Sequence, residues 1–496
     1  MSDQFNVEEV TISALHDAYL SGSVTVREIV QTYLDRIESL DRGGPGLNSV
    51  IELSPNALQA ADELDKRLKE TGKLVGPLHG VTVLVKDQVE VGGMPVSYGS
   101  EIAASFVPDK DSTAVAKLRA AGAVILGTTT MPDFATSWFS SSSRSGWTKN
   151  PYDLDRDPGG SSSGSAAAIA ANFATVGIGG DTGGSIRLPA SFCNLVGLRV
   201  TPGLISRDGM SSLVAPQDTP GPMTRTVEDA ARVLDAIVGF DPNDKFTAVN
   251  RIARHEGSFT DGLGASTMAG KKIGALREAF GDASDPDGAR VNAVLEEALG
   301  KIRAAGGEVV DVHINDLMHL VGFTSLYYTR SQQDMNAFFK TRPGSGVTTM
   351  KDVIESGRFH EKLDLLIGIS ESFDPPTDDP DYLNRILTQQ EFQREVVGMM
   401  AEMGLDAIVF PDSKLPAPTR ADVLSDRWTC LTYPTNTVIA SQLHFPAITV
   451  PVGFTDNELP VGMEIMSAPY DEKNLLLVAA AIEKATEARR APQLES

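Results

Sequence analysis

Residues 157–203, DPGGSSSGSAAAIAANFATVGIGGDTGGSIRLPASFCNLVGLRVTPG, are the most informative part of this sequence. It contains two turns rich in Gly and Ser, at 159–165 and 181–185, separated by small apolar residues. A flexible linker of the same composition does not normally run into a segment suited to a protein core. Residues 166–173 are expected to form a tightly packed helix, followed by a buried strand. A helix and a strand joined in this way can bring the two turns together in space.

Turns of this composition suit two kinds of chemistry, phosphate binding and acyl transfer. Phosphate binding is the weaker interpretation, since the chain has neither Gly-x-x-x-x-Gly-Lys-Ser/Thr nor Gly-x-Gly-x-x-Gly after a strand. Acyl transfer needs backbone N–H groups beside a nucleophilic hydroxyl, because they stabilise the oxyanion that develops. The turn DTGGS at 181–185 places several N–H groups beside one serine. The pattern therefore favours a serine nucleophile, which requires a base.

The base expected for this serine is a lysine rather than a histidine. Lys86 ends the apolar run VTVLV, where burial would keep its amine neutral and able to accept a proton. A lysine at the end of a strand is more often structural, so this assignment depends on the two serine turns. No Gly-x-Ser-x-Gly elbow with a downstream Asp and His is found. The histidines lie in no recognisable motif: His16, His79, His255, His313, His319, His360 and His444.

Composition excludes several other classes of protein. The 496 residues include 43 Lys plus Arg and 66 Asp plus Glu, and the net charge of −23 disfavours nucleic acids and anionic membranes as partners. No apolar run is long enough for a membrane span, and the start MSDQFNVEEV lacks the features of a secretion signal. A cytoplasmic location is therefore expected. Cys193 and Cys430 are expected to be buried thiols rather than a disulfide.

Helices and buried strands alternate through most of the chain, which predicts an α/β fold with one large mixed sheet. The helical segment at about 314–404 differs in composition, and we expect it to be an insertion that shapes the substrate entrance of a single domain, 1–496. The periodicity predicts helices at 7–20, 24–41 and 55–72, a strand at 80–87, helix-to-strand steps at 111–126, 288–313 and 385–411, strands at 446–454 and 459–467, and a final helix.

Longer motifs resemble the amidase signature family. PGGSSSGSAAA and GGDTGGSIRLPASFCNLVGLRVTPG, both within 157–203, are similar to the sequence signature of that family. The resemblance extends to VLVKDQ around Lys86, to 114–135 and to the C-terminal FPAITVPVGF, and only about 205–400 is divergent. It implies a single domain whose mixed sheet is covered on both faces by helices. It also implies hydrolysis of small-molecule amides without a metal or cofactor, and a homodimer by analogy with other members.

The resemblance also implies roles for the residues of the two turns. The family uses a Ser–cis-Ser–Lys triad, which falls here on Ser185 as nucleophile, Ser161 in a cis peptide, and Lys86 as base. The backbone N–H groups of the oxyanion hole fall on Thr182, Gly183, Gly184 and Ser185. Residues expected to support the site are Asp181, Arg187, Gly160 and Ser162.

Two departures from the family pattern lie close to these residues. Ser163 replaces the usual glycine after the cis-serine, and GTTTMP at 127–132 replaces Gly-Lys-Thr-Asn-Met-Pro. Ser163 is expected to narrow the freedom of the backbone next to the cis bond and to be tolerated there, whereas GTTTMP changes the polar support beside the pocket.

The choice of substrate is expected to depend on apolar and aromatic side chains. An aromatic-rich pocket predicts a neutral aryl- or alkylamide, a peptide amide or a related carbamate. One alternative is the glutaminase component of a tRNA-dependent amidotransferase, although the Arg- and Tyr-rich pattern associated with that component is missing from 320–420. Another alternative is an inactive binding protein, which the complete triad disfavours. The candidate substrate-binding residues are Met131, Phe134, Trp138, Phe323 and Tyr327.

Overall fold

Eleven strands form one mixed sheet in the computed structural model, which describes residues 5–253 and 257–494. Their order across the sheet is β1-β3-β2-β4-β6-β5-β10-β11-β9-β7-β8. The strands are β1 (Val50–Leu53), β2 (Thr82–Lys86), β3 (Val124–Thr129), β4 (Val176–Asp181), β5 (Val196–Arg199), β6 (Thr219–Thr224), β7 (Lys272–Leu276), β8 (Glu308–Val312), β9 (Ala407–Pro411), β10 (Ala447–Phe454) and β11 (Pro460–Met466).

Sixteen α-helices of the described residues pack around this sheet. His255 and residues 1–4, on which the expectation about a secretion signal partly rests, lie outside the described residues. The helices are α1 (Ile12–Ser21), α2 (Val26–Arg36), α3 (Ala57–Thr71), α4 (Thr113–Ala120), α5 (Ser163–Ala170), α6 (Arg187–Phe192), α7 (Val227–Ile237), α8 (Pro286–Ala304), α9 (Leu317–Phe323), α10 (Tyr327–Lys340), α11 (Met350–Ser356), α12 (Asp364–Ser370), α13 (Tyr382–Met403), α14 (Arg420–Leu424), α15 (Val438–Gln442) and α16 (Glu472–Thr486).

The N-terminal helices begin where polar side chains cap them. α1 begins at Ile12 rather than at residue 7, because the Thr11 side chain accepts a hydrogen bond from the backbone N–H of Ala14. Thr25 caps α2 as expected, and Glu28 completes the capping box. The helix predicted at 24–41 is continuous, but its hydrogen-bonding geometry changes where α2 passes into a π-helix at Ile37–Arg42.

Both faces of the sheet are covered, as predicted. Side chains alternate along a strand, and in β2 Val83 and Val85 pack into one apolar cluster while Leu84 packs into another. Helices α4, α7, α8 and α16 contribute to the first cluster, and α1, α2 and α5 contribute to the second. The α/β fold with one mixed sheet is therefore confirmed.

The parallel pairing of β2 and β4 brings the predicted catalytic residues together. The register pairs Val83 with Val176 and Val85 with Ile178, so both strands end at the same edge of the sheet. Lys86 is the last residue of β2, and the turn at 181–185 follows directly from β4. Lys86 lies on the same face as Leu84, where α5 packs. The sheet thus fixes the position of Lys86 relative to the turn at 181–185.

The segment 314–404 contains five helices, α9 to α13. Residues of α10, α11 and α12 share an apolar cluster with residues 131–139, and we call this group the aromatic cluster. That this segment is an insertion shaping the substrate entrance stays a prediction. Among the described residues, no helix combines the length and the apolar character needed to cross a bilayer.

Candidate active site

Lys86 is fully buried at the end of β2, and its amine is held by two oxygens. Nζ donates to Ser161 Oγ at 2.7 Å and to the carbonyl oxygen of Gly180 at 3.1 Å. Burial lowers the pKa of Lys86 to about 7, and the negative charges of Asp181 and Asp218 offset part of that effect. A large fraction of molecules therefore carry a neutral amine here near pH 7, as general-base chemistry requires.

Ser161 is placed by the turn that precedes α5. The peptide bond between Gly160 and Ser161 is cis. A side chain at Gly160 would meet the backbone of 137–139 at 2.8–3.0 Å, so this turn packs directly against that segment. Ser162 ties the turn to the second one, since its N–H donates to the Ser185 carbonyl oxygen at 3.1 Å and its Oγ accepts from the Gly180 N–H at 3.3 Å.

The turn at 181–185 is held by Asp181. Its carboxylate accepts hydrogen bonds from the backbone N–H groups of Gly184 at 2.9 Å and Ile186 at 3.1 Å. Arg187 donates to both oxygens of this carboxylate, and Arg199 Nη1 donates to Oδ1 at 2.8 Å. Burial alone would raise the pKa of Asp181, but the two guanidinium groups outweigh it and hold that pKa far below its usual range.

Three backbone N–H groups of this turn remain available to a ligand. Those of Thr182, Gly183 and Ser185 donate to no group among the described residues. The Gly184 N–H is not available, because it already donates to Asp181. Of the four N–H groups expected to form the oxyanion hole, that of Gly184 is therefore already bonded, and the role of the other three stays a prediction.

Ser185 lies at the end of the turn with a slight exposure of 3%. No hydrogen bond joins its Oγ to Ser161 Oγ among the described residues, so the predicted relay is formed from Lys86 to Ser161 but is open at its last step. Hydrogen bonds of catalytic groups are often incomplete until a substrate is bound.

Two further contacts define how tightly the turns are packed. Gly184 has a φ of +127°, and a Cβ built on it would lie 1.7 Å from Thr437 Oγ1, so this position requires glycine. Thr437 Oγ1 in turn donates to the Gly183 carbonyl oxygen at 2.9 Å.

Ser163, one of the two departures from the family pattern, is fully buried at the start of α5, and its hydroxyl has no hydrogen-bond partner among the described residues.

Four of the five candidate substrate-binding residues lie in the aromatic cluster. Met131, Phe134, Trp138 and Tyr327 all belong to it. A Cβ on Gly183 would lie 2.3 Å from Tyr327 Oη and 2.8 Å from Trp138 Cη2, so these two side chains form a wall against the turn. Phe323 is not brought to this wall.

Phe323 instead lies at the end of α9, where its ring stacks on His319 and lies against the guanidinium of Arg385. Arg144, which follows the serine run 140–143, is paired with Glu52 at 3.0 Å. Both observations narrow the set of side chains that could contact a substrate.

Several residues that hold the site were not singled out from the sequence. Asp218 accepts a hydrogen bond from Thr182 Oγ1 at 2.6 Å, and Arg199 and Thr437 contact the same turn. Asp218 and Thr437 lie outside the quoted motifs, and although Arg199 lies in one, only the three-dimensional pairing of β4, β5 and β6 brings Arg199 and Asp218 close. In the described part of the chain, no three His, Cys, Asp or Glu side chains form a group that could hold a metal ion. Both cysteines are buried and free, as predicted.

Comparison with known proteins agrees with this geometry. The Amidase family model matches residues 28–476. A glutamyl-tRNA(Gln) amidotransferase subunit of Geobacter metallireducens is 34% identical over 492 residues, which cover 96% of this chain and 97% of that protein. The structure of the native peptide amidase of Stenotrophomonas maltophilia has a TM-score of 0.86 and 34% identity, with 99% of each chain covered.

A second protein of known structure is similar, with a lower TM-score and a lower sequence identity. It is the corresponding glutamyl-tRNA(Gln) amidotransferase subunit of Thermotoga maritima, which has a TM-score of 0.76 and 26% identity, with 99% of each chain covered. The family match spans most of the chain, and the similarities to other members extend over nearly its whole length. This chain belongs to the amidase signature family.

Proposed function

We propose that this protein hydrolyses the carbon–nitrogen bond of a neutral amide through an acyl-enzyme on Ser185. The observation that carries the proposal is the amine of Lys86, whose pKa is lowered by burial to about 7 and which lies 2.7 Å from Ser161 Oγ. This pair lies beside a turn whose available N–H groups surround Ser185. These positions support the roles of base for Lys86, relay hydroxyl for Ser161 and oxyanion site for the turn.

The reaction follows from these positions. Ser185 Oγ attacks the carbonyl carbon of the amide while its proton passes to Ser161 and the proton of Ser161 passes to Lys86. The N–H groups of Thr182, Gly183 and Ser185 stabilise the oxyanion that forms. The same relay then runs backwards and protonates the amine as the carbon–nitrogen bond breaks, because an unprotonated amine is a poor leaving group. Water releases the acid from the acyl-enzyme through a second passage of the relay.

The wall of the site favours a neutral, apolar acyl or amine group. Trp138 and Tyr327 lie against Gly183, and Arg144 is neutralised by Glu52. Similarity to the peptide amidase at a TM-score of 0.86, against 0.76 for the amidotransferase subunit of Thermotoga maritima, supports a stand-alone amidase. We therefore propose arylamides, alkylamides, peptide amides or related carbamates as substrates.

A panel of substrates tests the proposal directly. Anilides, alkylamides, peptide amides, carbamates and glutamine would be compared for the wild type and for Ser185→Ala. We expect turnover of at least one neutral amide, lost in Ser185→Ala, and a fluorophosphonate adduct mapped to Ser185 by mass spectrometry. Turnover of esters alone would contradict the amide proposal, and the absence of an adduct would support an inactive binding protein.

The proposed wall can be tested with a matched pair of variants. Tyr327→Ala removes a side chain that lies against Gly183, whereas Phe323→Ala removes one that lies against His319 and Arg385. We expect Tyr327→Ala to change kcat/KM for large amides at least tenfold relative to small ones, because a buried aromatic side chain contributes about 2–3 kcal/mol of packing. Phe323→Ala should leave this ratio unchanged. Equal effects of both variants would contradict the placement of the substrate.

The amidotransferase component remains the second candidate, because such proteins are 31–34% identical over nearly the whole chain. The test is ammonia release from glutamine, measured with and without the partner subunits of a bacterial amidotransferase. Glutaminase activity that rises with those subunits, together with no turnover of neutral amides, would establish this candidate and refute the first.

A further inference from the structure

Two buried carboxyl groups that the proposed mechanism does not use lie next to Arg187. Asp412 follows β9, and Glu464 lies in β11, where the register places it opposite Phe410. Because side chains alternate along strands, Asp412 and Glu464 are diagonal neighbours on one face of the sheet. Both are completely buried. Groups of this kind retain their charge in a protein interior only when counter-charges and hydrogen bonds compensate for lost water.

Each of these carboxyl groups is satisfied at one oxygen only. Arg187 Nη1 donates to Glu464 Oε1, and Thr449 Oγ1 donates to Asp412 Oδ1. Neither Asp412 Oδ2 nor Glu464 Oε2 accepts a hydrogen bond of normal geometry from the described residues. The hydroxyl of Ser191 in α6 faces the same space, since both it and Asp412 Oδ2 would lie 2.6 Å from a Cβ on Gly462.

The charged groups that face the pair come from three further elements. Arg187 begins α6, Asp181 ends β4 and Arg199 ends β5, and all are completely buried. If both carboxyl groups of the pair were ionised, three carboxylates would share two guanidinium groups. One proton on the pair makes the positive and negative charges equal within this set of two guanidinium and three carboxyl groups. The same proton also supplies a hydrogen bond for the two carboxyl oxygens that accept none from other groups.

Burial raises the pKa of both carboxyl groups, and the charge of Arg187 offsets only part of that rise. We propose that Asp412 and Glu464 share one proton and act as positioning residues for the nucleophile turn. The neutral pair presents a single negative charge to Arg187, which remains bound to Asp181. Asp181 in turn fixes the N–H groups of Gly184 and Ile186. The catalytic part of this inference rests on the proposed function, whereas the shared proton does not.

The shared proton predicts a pH dependence with a defined sign. The folded protein keeps a proton that the unfolded chain, with ordinary Asp and Glu pKa values of about 4, has already lost at neutral pH. Stability from this source is therefore complete below the unfolded pKa of about 4, decreases as the pH rises above it, and is fully lost once the pH has passed the raised pKa of the folded pair. Activity should fall over the same alkaline range, by about tenfold per pH unit, because the released charge weakens the hold of Arg187 on Asp181.

Glu464→Gln is the decisive variant, because an amide keeps its hydrogens at every pH. We expect it to fold and to lose the alkaline fall in activity that the wild type shows. The pH dependence of unfolding between pH 7 and 8 should show one linked proton fewer than in the wild type. Glu472→Gln is the matched control, since Glu472 is a buried glutamate that accepts a hydrogen bond from Thr201 N–H at 2.7 Å, and it should leave the alkaline fall unchanged.

Two outcomes would overturn the proposal. An unchanged number of linked protons in Glu464→Gln would mean that the pair holds no proton. A loss of activity at every pH without a change in the shape of the profile would mean that Arg187 needs a fully ionised Glu464. If Glu464→Gln does not fold, Asp412→Asn carries the same two measurements. The proton count needs no substrate, so it remains decisive even if no neutral amide is hydrolysed and the proposed function fails.

Discussion

Replacement of Lys86 by methionine should stabilise the protein at neutral pH while abolishing its activity. The unfolded lysine keeps its proton until about pH 10.5, whereas burial lowers the pKa in the folded protein to about 7. A pKa difference of one unit corresponds to 1.36 kcal/mol. The lowered pKa of Lys86 therefore reduces the free energy of unfolding at pH 7 by about 4 kcal/mol, because the lysine loses part of its proton when the chain folds. Methionine has a similar length and carries no charge, so the variant avoids this cost.

The gain in stability from Lys86→Met is reduced because methionine cannot make the hydrogen bonds of the lysine amine. Lys86 Nζ donates to Ser161 Oγ and to the Gly180 carbonyl oxygen, and each bond contributes about 1 kcal/mol. A net stabilisation of about 2 kcal/mol at pH 7 remains. Because the folded pKa is lowered, the wild type gains stability as the pH rises from about 7 towards 10.5. The advantage of the variant should therefore shrink steadily over this range.

Urea unfolding at several pH values between 7 and 10 measures this difference, and hydrolysis of an activated anilide measures the activity. We expect the loss of the base to reduce kcat/KM by about 10²–10⁴ at every pH. Lys301→Met is the control, because Lys301 is a partly exposed lysine in α8 whose replacement should give no pH-dependent gain. The reasoning is refuted if Lys86→Met is less stable than the wild type at pH 7 by an amount that does not change with pH.

Two further predictions concern the turn and its charges. Gly184→Ala places a methyl group 1.7 Å from Thr437 Oγ1 at a φ of +127°, so we expect at least a hundredfold loss of kcat/KM and of fluorophosphonate labelling. Gly300→Ala, inside α8 with open space around it, should be neutral or stabilising by up to about 1 kcal/mol, and equal losses in both variants would contradict the packing argument. Asp218→Asn removes a charge that raises the pKa of Lys86, so the rise of kcat/KM with pH should move to lower pH. A move to higher pH, or none, in the measured profile would count against this electrostatic contact.

The predicted triad residues and their neighbours could be located from the sequence because their chemistry is local. The turn at 181–185 contains its nucleophile and its N–H donors within five consecutive residues, and Lys86 ends a strand of strongly apolar character. The exception is Gly184, whose N–H is occupied by the carboxylate of Asp181. Sequence patterns identify which groups are present in a turn but not which of them are already bonded to each other.

Residues that act across the sheet could not be found in this way. Arg199 lies in the quoted signature and Glu464 in a C-terminal strand, but nothing in either segment indicates a contact with the turn. Each reaches it only because separate strands of the chain are neighbours in the sheet. The strand at Thr219–Thr224, TPGPMT, was missed for a different reason: its prolines and glycine interrupt the β-branched run that predicts a strand. The position of Phe323 against His319 and Arg385 could not be predicted, because aromatic side chains in a divergent helical segment give no indication of which face they occupy.

The position of the hairpin formed by β10 and β11 has a consequence for how the enzyme is made. These strands lie between β5 and β9 in the sheet, so they join the strands that precede residue 225 to those of the second half of the chain. A nascent chain on the ribosome has unpaired strand edges until residue 466 has been synthesised. Thr437 and Glu464, which hold the nucleophile turn, are also supplied late. We therefore expect shorter translation products to be inactive and to depend on chaperones. Hydrolysis should begin only when all eleven strands of the sheet are present.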